Sequence, residues 1–323
     1  MIKLPTPPQF AGAFYKRLSR IACSSLMLLA LAAPLPAVDM LYVSISNNTI
    51  VSYDTTSNVG ATIAASKATF ASTNLSSPQG LAFDTSGNLY AANYAPTNST
   101  ISKFNASGGY VSNISSNLSG TFALALDTSD NLYAANLINN TISKFNSAGT
   151  FLSQINSNLN TPVGLAFDSS GNLYVANDAN STISKFNSSG TFLSQINSNL
   201  SNPYGLAFDS TGNLYAANYT SSTISKFNSA GTFLSQINSN LNNPIGLAFD
   251  SSGNLYAANE TNRTISKFSS SGTFLTSWST GTAIPTYIAF KPVTVPEPST
   301  YALATIATGV MAYLARRRKA RTA

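Results

Sequence analysis

Five aspartates, Asp84, Asp127, Asp168, Asp209 and Asp250, recur at intervals of 43, 41, 41 and 41 residues. Each lies in a copy of the segment that reads GLAFDSSGNLYAAN at 246–259. A fixed period of this length restricts the chain to stacked or ringed copies of one supersecondary unit. A sixth, partial copy, YIAFK at 287–291, puts Lys291 where the next aspartate would fall.

Within one unit four short apolar runs are divided by turn residues: GLAFD (205–209), NLYAAN (213–218), TISKF (223–227) and TFLSQI (232–237). Runs of this length bounded by Gly, Asn and Ser are strand signals, and none is long enough for an ordinary helix. Four antiparallel strands per unit make one blade of a β-propeller. Innermost strands fall at 80–84, 123–127, 164–168, 205–209, 246–250 and 287–291, so the expected fold is an all-β, six-bladed propeller. The stretch LYVSISNNTIVSYD (41–54) supplies the second and third strands of a blade that lacks its first, and 287–291 is a first strand without successors. Joining the two closes the ring and removes an open sheet edge. In the TISKF run, Ile224 and Phe227 are expected inside, with Ser225 and Lys226 on the wetter part of the blade.

The turn after each innermost strand pairs an aspartate, able to accept from backbone N–H groups, with a glycine suited to positive φ. Gly87, Gly171, Gly212 and Gly253 hold that place, and Asp130 substitutes in one copy. Five equivalent aspartates are thereby accounted for as turn formers.

The formal charge of +6 is misleading until divided by position. Residues 1–37 hold four cations, and 296–323 hold five against Glu297; 38–295 carry eight Lys or Arg against ten Asp or Glu. One lysine per repeat (Lys103, Lys144, Lys185, Lys226, Lys267) is spread around a ring rather than gathered into a patch. A nucleic-acid partner is excluded on that ground, since such affinity rests on clustered cations.

Both ends read as addresses. Lys16, Arg17 and Arg20 precede an apolar run from Ile21 to Ala33. Residues 1–37 are therefore assigned to a secretory signal peptide, with cleavage after Ala32 or Ala37 both compatible. At the other end, Pro296, Glu297, Pro298 and Ser299 precede an apolar run at 301–315 and a basic tail at 316–323. About 15 apolar residues rise only about 22 Å as a helix, marginal for a bilayer core of about 30 Å. The segment 293–323 resembles the PEP-CTERM sorting signal of bacteria. That resemblance implies export through the Sec machinery, a transient C-terminal membrane helix, and processing by an exosortase near 296–299. The expected destination is the cell surface or the extracellular matrix.

The repeat between residues 38 and 292 resembles the NHL family of β-propellers. The match at one unit is Pro203, Gly205, Leu206, Ala207, Phe208, Asp209, Gly212, Asn213, Leu214, Tyr215, Ala217, Asn218, Ile224 and Phe227. The family often has Asp at the end of the second strand, where this chain has Asn93, Asn136, Asn177, Asn218 and Asn259. That departure is expected to remove negative charge from one rim.

Histidine is absent and the only cysteine, Cys23, falls in the leader. The commonest general base, the usual zinc sites and Ser-His or Cys-His nucleophiles are thereby excluded. No catalytic residue and no cofactor are assigned. Gluconolactonase-like propellers, which use oxygen ligands around a divalent cation, survive that test. Under that alternative, a hydrolase dependent on Ca or Mg, the candidate ligands are Asp178 and Glu260 with Asn177 and Asn259.

A second nonrepeating set lies between the Pro and Gly positions, in the loop expected to enter each innermost strand: Gln79, Phe122, Val163, Tyr204, Ile245 and Thr286. In a propeller these residues ring a channel mouth, where ligands commonly bind; a funnel packed by its own side chains is the competing expectation. Trp278 breaks the outer-strand pattern and is assigned to blade packing. Residues 143–159 and 225–241 are the same seventeen, SKFNSAGTFLSQINSNL, and 184–200 differ only at Ser189. Recent duplication explains this identity without selection for function; it also gives three blades one outer surface, suited to low-affinity multivalent contact with a repetitive polymer. The leading expectation is a non-catalytic binding or structural module whose partner is an exopolysaccharide or envelope protein.

Overall fold

The computed structural model describes residues 39–291. The leader, the motif at 296–299, the apolar segment 301–315 and the basic tail lie outside the described residues. Six four-stranded antiparallel sheets form a six-bladed propeller. In chain order, β1 (Met40–Ile45) and β2 (Thr49–Asp54) are followed by one short helix, α1 (Gly60–Ala65), and β3 (Ala68–Ala71). The first complete blade is β4 (Pro78–Phe83), β5 (Leu89–Asn93), β6 (Thr100–Phe104) and β7 (Tyr110–Ile114). The second is β8 (Thr121–Leu126), β9 (Leu132–Asn136), β10 (Thr141–Phe145) and β11 (Phe151–Ile155). The third is β12 (Pro162–Phe167), β13 (Leu173–Asn177), β14 (Thr182–Phe186) and β15 (Phe192–Ile196). The fourth is β16 (Pro203–Phe208), β17 (Leu214–Asn218), β18 (Thr223–Phe227) and β19 (Phe233–Ile237). The fifth is β20 (Pro244–Phe249), β21 (Leu255–Asn259), β22 (Thr264–Phe268) and β23 (Phe274–Ser279). The last strand, β24 (Pro285–Phe290), pairs antiparallel with β1 (Leu41 opposite Phe290, Val43 opposite Ile288) and completes a sixth blade, β24-β1-β2-β3. The ring closes as the split repeat requires.

The core lies in the seams between blades. Tyr174, Ala176 and Ile183 of the third blade pack on Leu206, Leu214, Ala216 and Phe227 of the fourth. The next seam repeats the set with Tyr215, Ala217 and Ile224 against Leu247, Leu255, Ala257 and Phe268. Successive residues of a strand point to opposite faces, and both faces of a blade are covered by neighbours. Ser225 is therefore fully buried, not wet as its polarity suggested, and donates to the Asn199 carbonyl at 2.6 Å.

The innermost strands begin at a proline, or at Thr121 in the second blade, two residues earlier than the GLAFD run, with a register shift between Pro203 and Leu206 in the fourth. The residue after the proline therefore belongs to the strand rather than to an entry loop. The glycine that follows is imposed by closeness. A Cβ on Gly246 would lie 2.7 Å from the Thr286 carbonyl oxygen and 2.9 Å from the Ile288 nitrogen, both backbone atoms of the next blade. Ala123 fills the same place in the second blade. Gly246→Ala is expected to cost roughly 1–3 kcal/mol by overpacking and Gly246→Val more, read from urea midpoints; a valine variant as stable as the parent would contradict this seam geometry.

One element was not anticipated. The connection from β2 to β3 carries α1, whose Ile63 packs with Trp278 of β23. Trp278 also meets the rings of Tyr53 and Tyr256 edge-on at 5.8 and 6.1 Å, so its departure from the outer-strand pattern reflects blade packing.

Candidate functional site

The aspartate turns form as the sequence predicts and do more than turn. Asp209 Oδ1 accepts from the Thr211 and Asn213 backbone N–H groups at 3.0 and 2.9 Å, Gly212 has φ +83°, and Asp130 has φ 57°. The other carboxylate oxygen lies 3.3 Å from Lys226 Nζ, and that ammonium sits 4.9 Å from the centroid of the Tyr215 ring. All five repeats build this Asp–Lys–Tyr set. Burial alone would raise the Asp209 carboxyl; Asn213, Thr211 and Lys226 outweigh it and hold the group far below its ordinary range. Each lysine is thus matched within its own blade, and no basic surface results.

The strand-end asparagines are buried clasps rather than rim residues. Asn218 accepts from the Ser201 N–H at 3.1 Å and donates to Thr223 and Ser225 hydroxyls at 3.1 and 2.9 Å. Asn177 and Asn259 make the same three contacts and are fully buried. Their amides are spent on the clasp, because a buried polar group left unpaired costs about 1–3 kcal/mol.

The six mouth residues divide. Val163, Ile245 and Thr286 are buried, whereas Gln79, Phe122 and Tyr204 are half-buried. Thr286 and Ser44 share a hydroxyl contact of 2.8 Å, and Ser44 donates to the Gln79 carbonyl at 2.6 Å. The channel is closed by a residue that sequence reasoning missed. Tyr287 occupies the place of Gly80, Ala123, Gly164, Gly205 and Gly246 in the sixth blade. Its ring meets Phe122 edge-on at 5.8 Å, and its hydroxyl donates to the Val163 carbonyl. β24 neighbours β4 and β20 in the ring of innermost strands and stands opposite β12, so this side chain crosses the axis. An aromatic residue in a column otherwise filled by glycine and alanine was the available signal.

What stays open at this mouth is aromatic and acidic. Tyr204 and Tyr219 lie 5.0 Å apart with their rings inclined by 33°. Phe122 meets Tyr204 edge-on at 5.9 Å, and Tyr94 meets Phe122 at 6.1 Å. Glu260 Oε2 accepts from the Tyr219 hydroxyl at 2.5 Å, and Asp178 Oδ1 accepts from Asn202 Nδ2 at 2.9 Å. The Glu260 hydrogen bond, then burial, push the Tyr219 hydroxyl up to about 12. Burial foremost, with Asp178, Tyr219 and Glu260 adding to it, raises the Tyr204 hydroxyl further. Among the described residues no three His, Cys, Asp or Glu side chains are grouped to hold a metal ion. Two carboxylates with their companion asparagines turned inward do not assemble the six to eight oxygens that calcium takes.

The outer rim repeats a groove between one blade's outer strand and the next blade's hairpin. Between the fourth and fifth blades, Tyr215, Lys226, Ser235, Gln236, Asn238 and Ser271 line a cavity of about 210 Å3. Between the first and second, Tyr90, Lys103, Ser112, Asn113, Ser147 and Gly149 line one of about 230 Å3. On the outer strands of the second, third and fourth blades Phe151, Leu152, Phe192, Leu193, Phe233 and Leu234 are exposed, from 37% to 49%.

The fold thus defines a six-bladed β-propeller with a plugged axis. Residues 294–319 match the PEP-CTERM protein-sorting motif, which marks the chain as an exported, exosortase-sorted protein directed to the cell envelope or surface. Among solved structures, a chain of a nidogen/laminin complex is similar at a TM-score of 0.69 and 18% identity, covering 79% of this chain and 98% of that one. A protein of unknown function from Bacteroides caccae is similar at 0.63 and 15%, covering 80% and 100%. A catalytically inactive histidine-to-alanine variant of virginiamycin B lyase from Staphylococcus aureus is similar at 0.54 and 13%, covering 68% and 85%. These likenesses show a shared fold, which by itself does not carry function. No curated protein matches the chain by sequence.

Proposed function

We propose that the protein is a non-catalytic binding module of the bacterial cell surface or extracellular matrix, and that its outer rim holds a polysaccharide. The observation that carries this reading is the identity of residues 143–159 and 225–241, which puts the same exposed polar side chains, Ser153 and Ser235 among them, on the outer strands of two blades. Grooves lined by hydroxyl and amide groups, with apolar side chains exposed on the same outer strands, suit sugar rings that offer hydroxyls at their edges and C–H groups on their faces. One groove binds weakly. Several on one ring bind a repeating chain with an avidity that exceeds a single site by roughly 10²–10⁴. The plugged axis and the absence of histidine weigh against the lyase chemistry found on the same fold.

The test is co-sedimentation with exopolysaccharide from the producing bacterium. Ser153→Arg, Ser194→Arg and Ser235→Arg change the same exposed place on three outer strands, which at Ser235 lines the groove between the fourth and fifth blades. Each alone is expected to weaken binding a few-fold and all three together by roughly 10² or more. A triple variant that binds like the parent would sink the rim as the binding surface.

A further inference from the structure

The outer surface repeats, whereas one mouth of the ring does not. After the strand-end asparagine the five complete blades carry Tyr94, Leu137, Asp178, Tyr219 and Glu260. In a chain that copies even its exposed serines and asparagines, a place that refuses the copy is an observation in its own right. Of these, Tyr94 meets the equally nonrepeating Phe122, Tyr219 meets Tyr204, and Glu260 accepts from the Tyr219 hydroxyl.

Two properties coincide there. The first is an aromatic shelf: Tyr204 and Tyr219 inclined to each other, with Phe122 edge-on beside them. The second is uncompensated negative charge. Every lysine–carboxylate pair among the described residues belongs to a turn aspartate at the repeat position, and none involves Asp178 or Glu260. The cation nearest Glu260 in sequence is the exposed Arg263, which makes no ion pair among the described residues and whose carbonyl is taken by Thr280; the one nearest Asp178, Lys185, is paired with Asp168. Each carboxylate accepts one side-chain hydrogen bond and keeps acceptor capacity. Ring faces and carboxylates attract the same ligand class, since the quadrupole of an aromatic ring draws a cation to its face. A bare divalent ion is poorly served, because the oxygen shell is incomplete and ring faces are no ligands for it. We propose that the mouth formed by Tyr204, Tyr219, Asp178 and Glu260 binds an organic ammonium group, primary or methylated.

The site is independent of the rim, so either reading can fail alone. The probe is choline, compared by titration calorimetry on the full-length protein in detergent with its neutral isostere 3,3-dimethylbutan-1-ol. Choline is expected to bind, and the isostere to bind weaker by about tenfold, the scale of a desolvated cation–π contact plus carboxylate attraction. Asp178→Asn with Glu260→Gln preserves shape and is expected to bring choline down to the isostere's affinity. Tyr204→Ala is expected to weaken choline by about tenfold; if that variant does not fold, the isosteric pair carries the test alone. Equal affinity for the two probes, no choline binding, or choline binding indifferent to the paired substitution would each overturn the proposal. So would tight calcium binding abolished by the same pair, which would make the mouth a metal site.

Discussion

Deletion of residues 285–290, which removes β24 and nothing else, is expected to abolish the cooperative unfolding transition of the protein. The strand is the innermost layer of the closing blade, and without it β1 presents an unpaired edge to the axis. Ile288 leaves the core shared with Leu41, Val43, Tyr53 and Trp278. Phe290 leaves Tyr256, its edge-on neighbour at 5.0 Å, and Tyr287 vacates the channel it crosses. Each large buried side chain lost is worth about 1.5–3 kcal/mol, and the blade also loses its ladder. Against a net stability of roughly 5–15 kcal/mol, the remaining open ring is not expected to hold. Circular dichroism on heating reads the result, and a melting curve like that of the parent would show that the ring does not depend on this closure. Tyr287→Ala separates the plug from the strand: it should lower stability by about 3–5 kcal/mol while leaving the transition cooperative.

The blade count and the split closing blade were legible because they follow from period and phase alone. The interior of a blade was harder to read for a definite physical reason. A polar residue between two apolar ones suggests a wet face, as for Ser225 and Lys226. In a propeller each sheet is covered on both sides, so polarity marks internal pairing. Ser225 is tied to Asn218 and the Asn199 carbonyl, and Lys226 is laid over Tyr215 toward Asp209. The same logic moved the strand-end asparagines from rim to clasp. Of the candidate mouth, Phe122 and Tyr204 stay accessible while Val163, Ile245 and Thr286 are consumed by packing. The axis plug depends on a contact between β24 and β12, distant in sequence and opposite in the ring, which no local pattern encodes. Helix α1 lies in the unit that fits the repeat least well, where no second copy exposes its register.

Asp250→Asn is expected to destabilise the protein by about 3–5 kcal/mol, far more than Asp209→Asn. The two aspartates hold identical places in the repeat, and the difference is burial. In the Asp250–Lys267 pair the side chains are 3% and 2% exposed, against 16% and 22% for Asp209 and Lys226. The cover comes from the segments that flank β1 and β2: Asn58 accepts from Lys267 Nζ at 2.7 Å, and Asp39 accepts from the Ser251 hydroxyl at 2.6 Å. Burial pulls the Lys267 ammonium below its ordinary value despite the Asp250 carboxylate. Removing that carboxylate strands a cation in a seam, whereas Lys226, 22% exposed, can still be reached by water when Asp209 is lost. The pH dependence separates the two further. A lysine whose folded pKa lies below its unfolded value binds fewer protons when folded, so stability rises as pH is raised from the folded value toward 10.5. The deficit of Asp250→Asn should therefore shrink between neutral pH and 10.5. The Asp209 carboxyl, held below its usual 3.8, contributes stability above that value and loses it as pH falls through its folded value. The deficit of Asp209→Asn should accordingly be flat in alkali and vanish in acid. Urea midpoints across that range decide the matter: equal deficits with parallel pH profiles would mean that water reaches Lys267 as freely as it reaches Lys226.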